Sequence, residues 1–226
     1  FNGEVVNDSN LRLTKTVNVT VTDATTAVNN VYFELTNSTN TTTLATTKNG
    51  DYYTSLLDTT SYSDGTYVLT VYANDSLNNL NNTESITFRI DNTAPTALGD
   101  LPVNDSYTNN QVPVASVNIT DLISGVNSSS LQMEINNFVV SPTVTAIDNG
   151  FMLSKQIGPY SGSTVVTIKV NGLDYAGNQM QEFLWSFSVD IVKPSIYNPT
   201  IDDTDRKIRS TDTVTLAVKA KDDMAG

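Results

Sequence analysis

Apolar and polar residues alternate with a period of two along most of the chain, the pattern of strands with one buried and one exposed face. Val17, Val19 and Val21 alternate with Asn18, Thr20 and Thr22 before Asp23 ends the run. The same phase returns at Ala115, Val117 and Ile119 with Asp121, and again at Leu216, Val218 and Ala220 with Asp222. Further strands are predicted over residues 31–35 and 131–135, 65–73 and 163–170, and 86–90 and 185–189. A polar bend and an Asn-Gly pair, Asn49-Gly50 and Asn149-Gly150, open one more strand in each set, because Asn-Gly favours the positive φ of a tight turn. No segment sustains a three-and-four apolar spacing, and Thr, Asn, Val and Tyr dominate, so no helix longer than a turn or two is expected.

The strand pattern repeats. Phe88-Arg89-Ile90-Asp91-Asn92-Thr93-Ala94-Pro95 has its counterpart 99 positions later in Phe187-Ser188-Val189-Asp190-Ile191-Val192-Lys193-Pro194, and each copy closes a strand with an Asp and then a Pro. The chain divides accordingly into residues 1–95, residues 96–194 and a partial third module, residues 195–226, that holds first strands only. Two strands alone do not make a stable sandwich, so the natural chain is expected to continue this unit, with strand addition to a neighbouring copy as the alternative. About seven short strands per hundred residues give an all-β class, tandem immunoglobulin-like β-sandwich modules with a truncated third module, with another Greek-key sandwich as the alternative. Each complete unit is large enough to bury its own core. The linkers are short and carry Pro95 or Pro194 rather than a Gly/Ser tract, so stiff joints are expected.

The turn Asp174-Tyr175-Ala176-Gly177-Asn178 before a last strand, and the junction Asp91-Asn92-Thr93-Ala94-Pro95, resemble those of the bacterial and archaeal Ig-like repeats found in tandem on cell-surface proteins. The likeness covers nearly the whole chain, and the first module departs from it with Asn78 where the second has Gly177. The resemblance implies a non-enzymatic structural segment of an extracellular prokaryotic, expectedly archaeal, surface-layer or filament glycoprotein, self-associating at the cell surface. An adhesin stalk that binds a glycan or protein through an exposed loop such as residues 36–49 is the alternative, and accessory domains of a secreted enzyme are a third.

Composition narrows the chemistry. The chain has no Cys and no His, which removes disulfides, thiolate nucleophiles, the usual zinc ligands and the usual neutral-pH base. Lys plus Arg number 12 against 24 Asp plus Glu, a net charge of -12, so nucleic acid would be repelled. No apolar run reaches the length that crosses a bilayer, so no membrane span is expected in this segment. Glu34 and Glu134 hold matching positions in separate modules, which is shared structure rather than a facing pair of catalytic carboxylates. Lys15 and Lys169 are the candidates for a Lys cross-link of the kind seen in some pilus modules, although solvated strand lysines fit the pattern better.

Two chemistries remain. Asn-x-Ser/Thr triplets place candidate covalent N-glycans at Asn7, Asn18, Asn37, Asn40, Asn74, Asn81, Asn104, Asn118 and Asn127, while Pro199 excludes Asn198. Asn18 and Asn118 fall on the outward phase of their strands. Oxygen ligands for calcium gather where modules meet: Asp91, Asn92 and Asp100 flank the first junction and Asp121 sits at a loop mouth, as do Asp23, Asp75 and Asp174. Turn formation by Asp and Asn explains the same residues without a metal.

Overall fold

The computed structural model describes residues 1–202 and 213–222. The first module contains β1 (Asn2–Gly3), β2 (Asn10–Leu11), β3 (Thr14–Thr20), β4 (Val28–Thr36), β5 (Thr41–Ala45), β6 (Thr47–Asn49), β7 (Tyr52–Asp58), β8 (Gly65–Asp75), β9 (Leu80–Asn81) and β10 (Ser85–Ile90). The second contains β11 (Thr96–Leu101), β12 (Tyr107–Thr108), β13 (Val114–Thr120), β14 (Val126–Ile135), β15 (Phe138–Val140), β16 (Thr143–Ile147), β17 (Gly150–Gln156), β18 (Thr164–Asp174) and β19 (Phe183–Val189). The strands β20 (Ser195–Asp202) and β21 (Thr215–Lys221) follow as an antiparallel pair. Residues 203–212 and 223–226 of the expected third module lie outside the described residues.

Both modules share one topology. One sheet of the first runs β1-β3-β7-β6 and faces a second that runs β2-β10-β8-β4-β5; the second module repeats this as β11-β13-β17-β16 facing β12-β19-β18-β14-β15. In each, the first strand crosses from one sheet to the other, so β2 and β12 pair in parallel with β10 and β19 while the other pairings are antiparallel. The crossing is held by matching asparagines. Asn7 Oδ1 accepts the Thr87 amide and Asn104 Oδ1 the Ser186 amide, at 3.0 and 2.9 Å.

The alternation seen in the sequence decides which face packs. Along β8, Tyr67, Leu69 and Val71 are buried while Thr66 and Val68 face solvent; along β18, Val166, Ile168 and Val170 take the inner face. Phe33, Leu57, Phe88 and Ile90 close the first core, and Leu153, Met133, Trp185 and Phe187 the second. Burying each such side chain is worth about 1.5–3 kcal/mol, so two separate cores, not one shared interior, carry the stability. Tyr67, at the start of β8, sends its hydroxyl back to the Ser63 carbonyl at 2.9 Å, the tyrosine-corner bond of immunoglobulin-like sandwiches. Tyr52, at the start of β7, points outward while its neighbour Tyr53 is buried in the first core.

The stretch 36–49, expected as an exposed loop, is mostly strand. A short turn at residues 37–40, closed by Asn37 Oδ1 accepting the Thr39 and Asn40 amides, leads straight into β5, which pairs with β4, and β6 pairs with β7. Runs of Thr can satisfy their backbone on a sheet edge, so polarity there marked an exposed edge rather than a loop.

Candidate functional site

The joint between the two modules is a dense network of polar bonds. Over residues 91–95 only Asn92 and Thr93 are exposed to solvent. The Asp91 amide donates to the Leu11 carbonyl, and Asp91 and Pro95 are buried. The Asn92 side chain turns back onto the first module, where it exchanges two bonds of 3.0 Å with Thr59. The Asn92 amide and the Thr93 hydroxyl both bond the Asp64 carboxylate. The second module grips the same segment from the other side: Ser124 donates its amide to Asp91 Oδ2 at 3.0 Å, and Asn178 Nδ2 reaches the Asp91 and Thr93 carbonyls at 2.9 and 3.3 Å. Arg12 Nη1 of the first module bonds the Gly177 carbonyl of the second. Gly177 sits in a turn at φ +90°, where a side chain would be strained.

Within this joint Asp91, Asp121 and Asp174 are all buried, each presenting a carboxylate oxygen within 4.8 Å of the others. Their hydrogen-bond donors are neutral. Asp91 accepts the Thr93 and Ser124 amides, Asp121 the Ile123 and Gly125 amides, and Asp174 the amide and side-chain nitrogen of Asn178. Two carboxylates about 4.8 Å apart repel by about 3.5 kcal/mol at an effective dielectric constant of about 20, while a hydrogen bond to a charged group returns about 1.5–3 kcal/mol. Such a triad is therefore stable with a bound cation or a shared proton, and buried charges in proteins are as a rule paired or metal-bound. Burial first, and the Asp91 and Asp174 charges with it, push the Asp121 carboxyl above the ordinary aspartate range against the pull of its two amide donors. The oxygen-only donor set suits a hard cation such as calcium.

Of the oxygen ligands expected for calcium, the structure brings Asp91, Asp121 and Asp174 together. It does not bring Asn92 or Asp100 to them. Asn92 is committed to Thr59, and Asp100, on β11, accepts the Asn104 amide at 2.8 Å in its own loop.

The glycan acceptor sites divide by exposure. Asn7, Asn40, Asn81, Asn104 and Asn118 are exposed, whereas Asn18, Asn37, Asn74 and Asn127 are half-buried. Asn118 faces outward as its strand phase predicts. Asn18, on the matching strand, is more covered, with its side-chain oxygen buried. Asn37 Nδ2 donates to the Tyr67 hydroxyl at 3.1 Å, which couples this acceptor nitrogen to the tyrosine corner.

Lys169, weighed above for a cross-link, ion-pairs with Glu134 at 2.7 Å across the β14–β18 ladder and with Glu182 at 3.6 Å. The hydrogen bond to Glu134, foremost, raises its pKa. It is a cross-strand pair on a half-exposed face, screened by solvent.

A three-domain titin fragment, I67–I69 in an E-to-A mutated variant, is similar over 92% of this chain and 79% of its own, at 12% identity and a TM-score of 0.51. The fold is that of tandem immunoglobulin-like modules. The tetra-tandem repeat in the extending region of a large adhesion protein is similar over 92% of this chain and 59% of its own, at 18% identity and a TM-score of 0.36. The fibronectin(III)-like modules of Clostridium thermocellum CbhA cover 82% of this chain and 90% of their own, at 14% identity and a TM-score of 0.35. No family model and no curated protein sequence matches the chain. Among the described residues no helix is long and apolar enough to cross a membrane.

Proposed function

We propose that this chain is a spacer of an extracellular prokaryotic surface structure, a stiff rod of Ig-like modules that builds or spaces a surface layer or filament. The observation that carries the reading is the joint, where residues 91–95 are bonded to both modules instead of forming a free linker. A joint held this way makes the separation between module ends a fixed length, the property a spacer needs and a pocket-bearing enzyme does not. The acidic surface keeps such a rod soluble in salt. In this reading calcium sits among Asp91, Asp121 and Asp174 and balances their charge, N-glycans project from the exposed acceptors Asn7, Asn40, Asn81, Asn104 and Asn118, and copies self-associate through their outer faces. Archaeal origin is the expectation that goes with an acidic, Asn- and Thr-rich surface protein of this kind.

Electron microscopy of native material tests the whole reading. Ordered sheets or filaments with a repeat set by the module length support it, and dispersed particles retained on a glycan array would favour an adhesin stalk instead. An intact mass equal to the bare polypeptide would remove the glycans.

A further inference from the structure

The far end of the first module repeats the face that the second module turns toward the joint. Asp75 and Asn79 make the bonds that Asp174 and Asn178 make: the Asn79 amide and Nδ2 donate to the Asp75 carboxylate at 2.8 and 2.7 Å, as those of Asn178 do to Asp174. The Ser76 amide bonds the Ala27 carbonyl as the Tyr175 amide bonds that of Gly125. Asp23 caps the loop after β3 through the Thr25 and Thr26 amides, as Asp121 caps the loop after β13 through those of Ile123 and Gly125. The two ends differ in what covers them. Asp121 and Asn178 are buried under Asp91 and its neighbours, whereas Asp23 and Asn79 are exposed around a cavity of about 220 Å³ lined also by Val21, Val28 and Leu80. The Thr26 amide, which corresponds to the Ser124 amide that binds Asp91, is turned onto Asp23, and the Thr26 hydroxyl onto Asp75.

We propose that this end, formed by Asp23, Thr26, Asp75 and Asn79, is a socket for the closing strand of another sandwich module lying ahead of it in the same polypeptide, whose terminal aspartate enters as Asp91 enters the second module. A second copy of this chain is a poorer donor: both of its strand ends of this type, at Asp91 and Asp190, run on within a few residues into β11 and β20. The arriving aspartate makes a third carboxylate beside Asp23 and Asp75, so closure requires the same charge balance as the Asp91 joint. The inference rests on the rod reading and extends it to a second joint built on the same rule.

The test is a longer chain with a second copy of residues 1–97 placed directly ahead of Phe1. The crossover bonds of Asn7 and Asn104 match across the repeat, so this junction lets Phe1 follow Ala97 as Leu98 does. Hydrogen exchange at the Thr26 and Asn79 amides, followed by NMR with millimolar calcium and again with chelator, is compared with that of the 226-residue chain. The expected result is a slowing of about tenfold or more at both amides in at least one condition, lost when the added copy carries Asp91→Ala. Unchanged exchange in both conditions overturns the socket. The Ser124 amide in the same molecules separates the two ideas: fast exchange there in the 226-residue chain sinks the rod reading, whereas a protected Ser124 beside an unprotected Thr26 sinks the socket alone.

Discussion

Asp121 is the residue on which the joint's electrostatics turn. An acid whose folded pKa is raised adds nothing below the ordinary aspartate value of about 3.9 and destabilises the fold increasingly as pH rises past it, because the unfolded chain releases a proton that the folded chain holds. Asp23 and Asp75 behave oppositely: the Thr26 and Thr25 amides and the Asn79 side chain, respectively, hold their carboxyls below the ordinary value, so their contribution is present above that value and is lost as pH falls through their folded pKa. Replacing Asp121 by Asn keeps an oxygen for the Ile123 and Gly125 amides and removes one of three clustered charges. At neutral pH in chelator, Asp121→Asn should therefore stabilise the chain by roughly 1–2 kcal/mol and abolish any gain from calcium. Thermal melts with and without calcium measure both effects, and a variant that melts lower in chelator while keeping its calcium response would refute the charge argument. Residue identity and spacing were enough to expect ligands at Asp91 and Asp121. They could not show that, of the loop-mouth acids, it is Asp121 and Asp174 that meet Asp91, or that the Asn92 side chain turns back onto Thr59. Strand phase puts Ile90 inside and Asp91 outside, but the next module covers Asp91, so a second body overrides the alternation at that one position.

At the scale of elements, the paired Asn-Gly turns look alike in sequence and differ in what their glycines do. Gly50 lies in the turn itself at φ +64° with nothing near its missing side chain, whereas Gly150 pairs with Ile147 at the start of β17, and an added Cβ would lie 2.0 Å from the Ile119 carbonyl oxygen. Alanine at Gly50 meets only backbone strain, about 1–2 kcal/mol; alanine at Gly150 must push β17 away from β13 and should cost about 3 kcal/mol or more. Denaturant unfolding of Gly50→Ala and Gly150→Ala separates the two, and equal losses would mean that the sheet yields easily at this edge. The strands themselves were legible because period-two alternation survives wherever one face is buried. The edge strands β5 and β6 were not, since with both faces exposed or nearly so they carry no alternation to read.

For the whole molecule, stiffness depends on a small number of bonds that no core residue makes. Asn178 is central among them: its side chain ties Asp174 to the Asp91 and Thr93 carbonyls, so one residue bonds its own turn and the neighbouring module. Asn178→Ala leaves both cores intact and removes these bonds, a loss of about 2–3 kcal/mol taken almost wholly from the interface between modules. Because each sandwich buries its own core, the variant should melt close to the parent while the angle between modules spreads. Small-angle scattering should then show a broader distribution of overall dimensions for Asn178→Ala than for the parent, with calcium narrowing the parent's distribution and leaving the variant's wide. An unchanged scattering profile would mean that the bonds left across the joint, from Ser124 to Asp91 and from Arg12 to Gly177, hold it together with the buried Pro95 without Asn178.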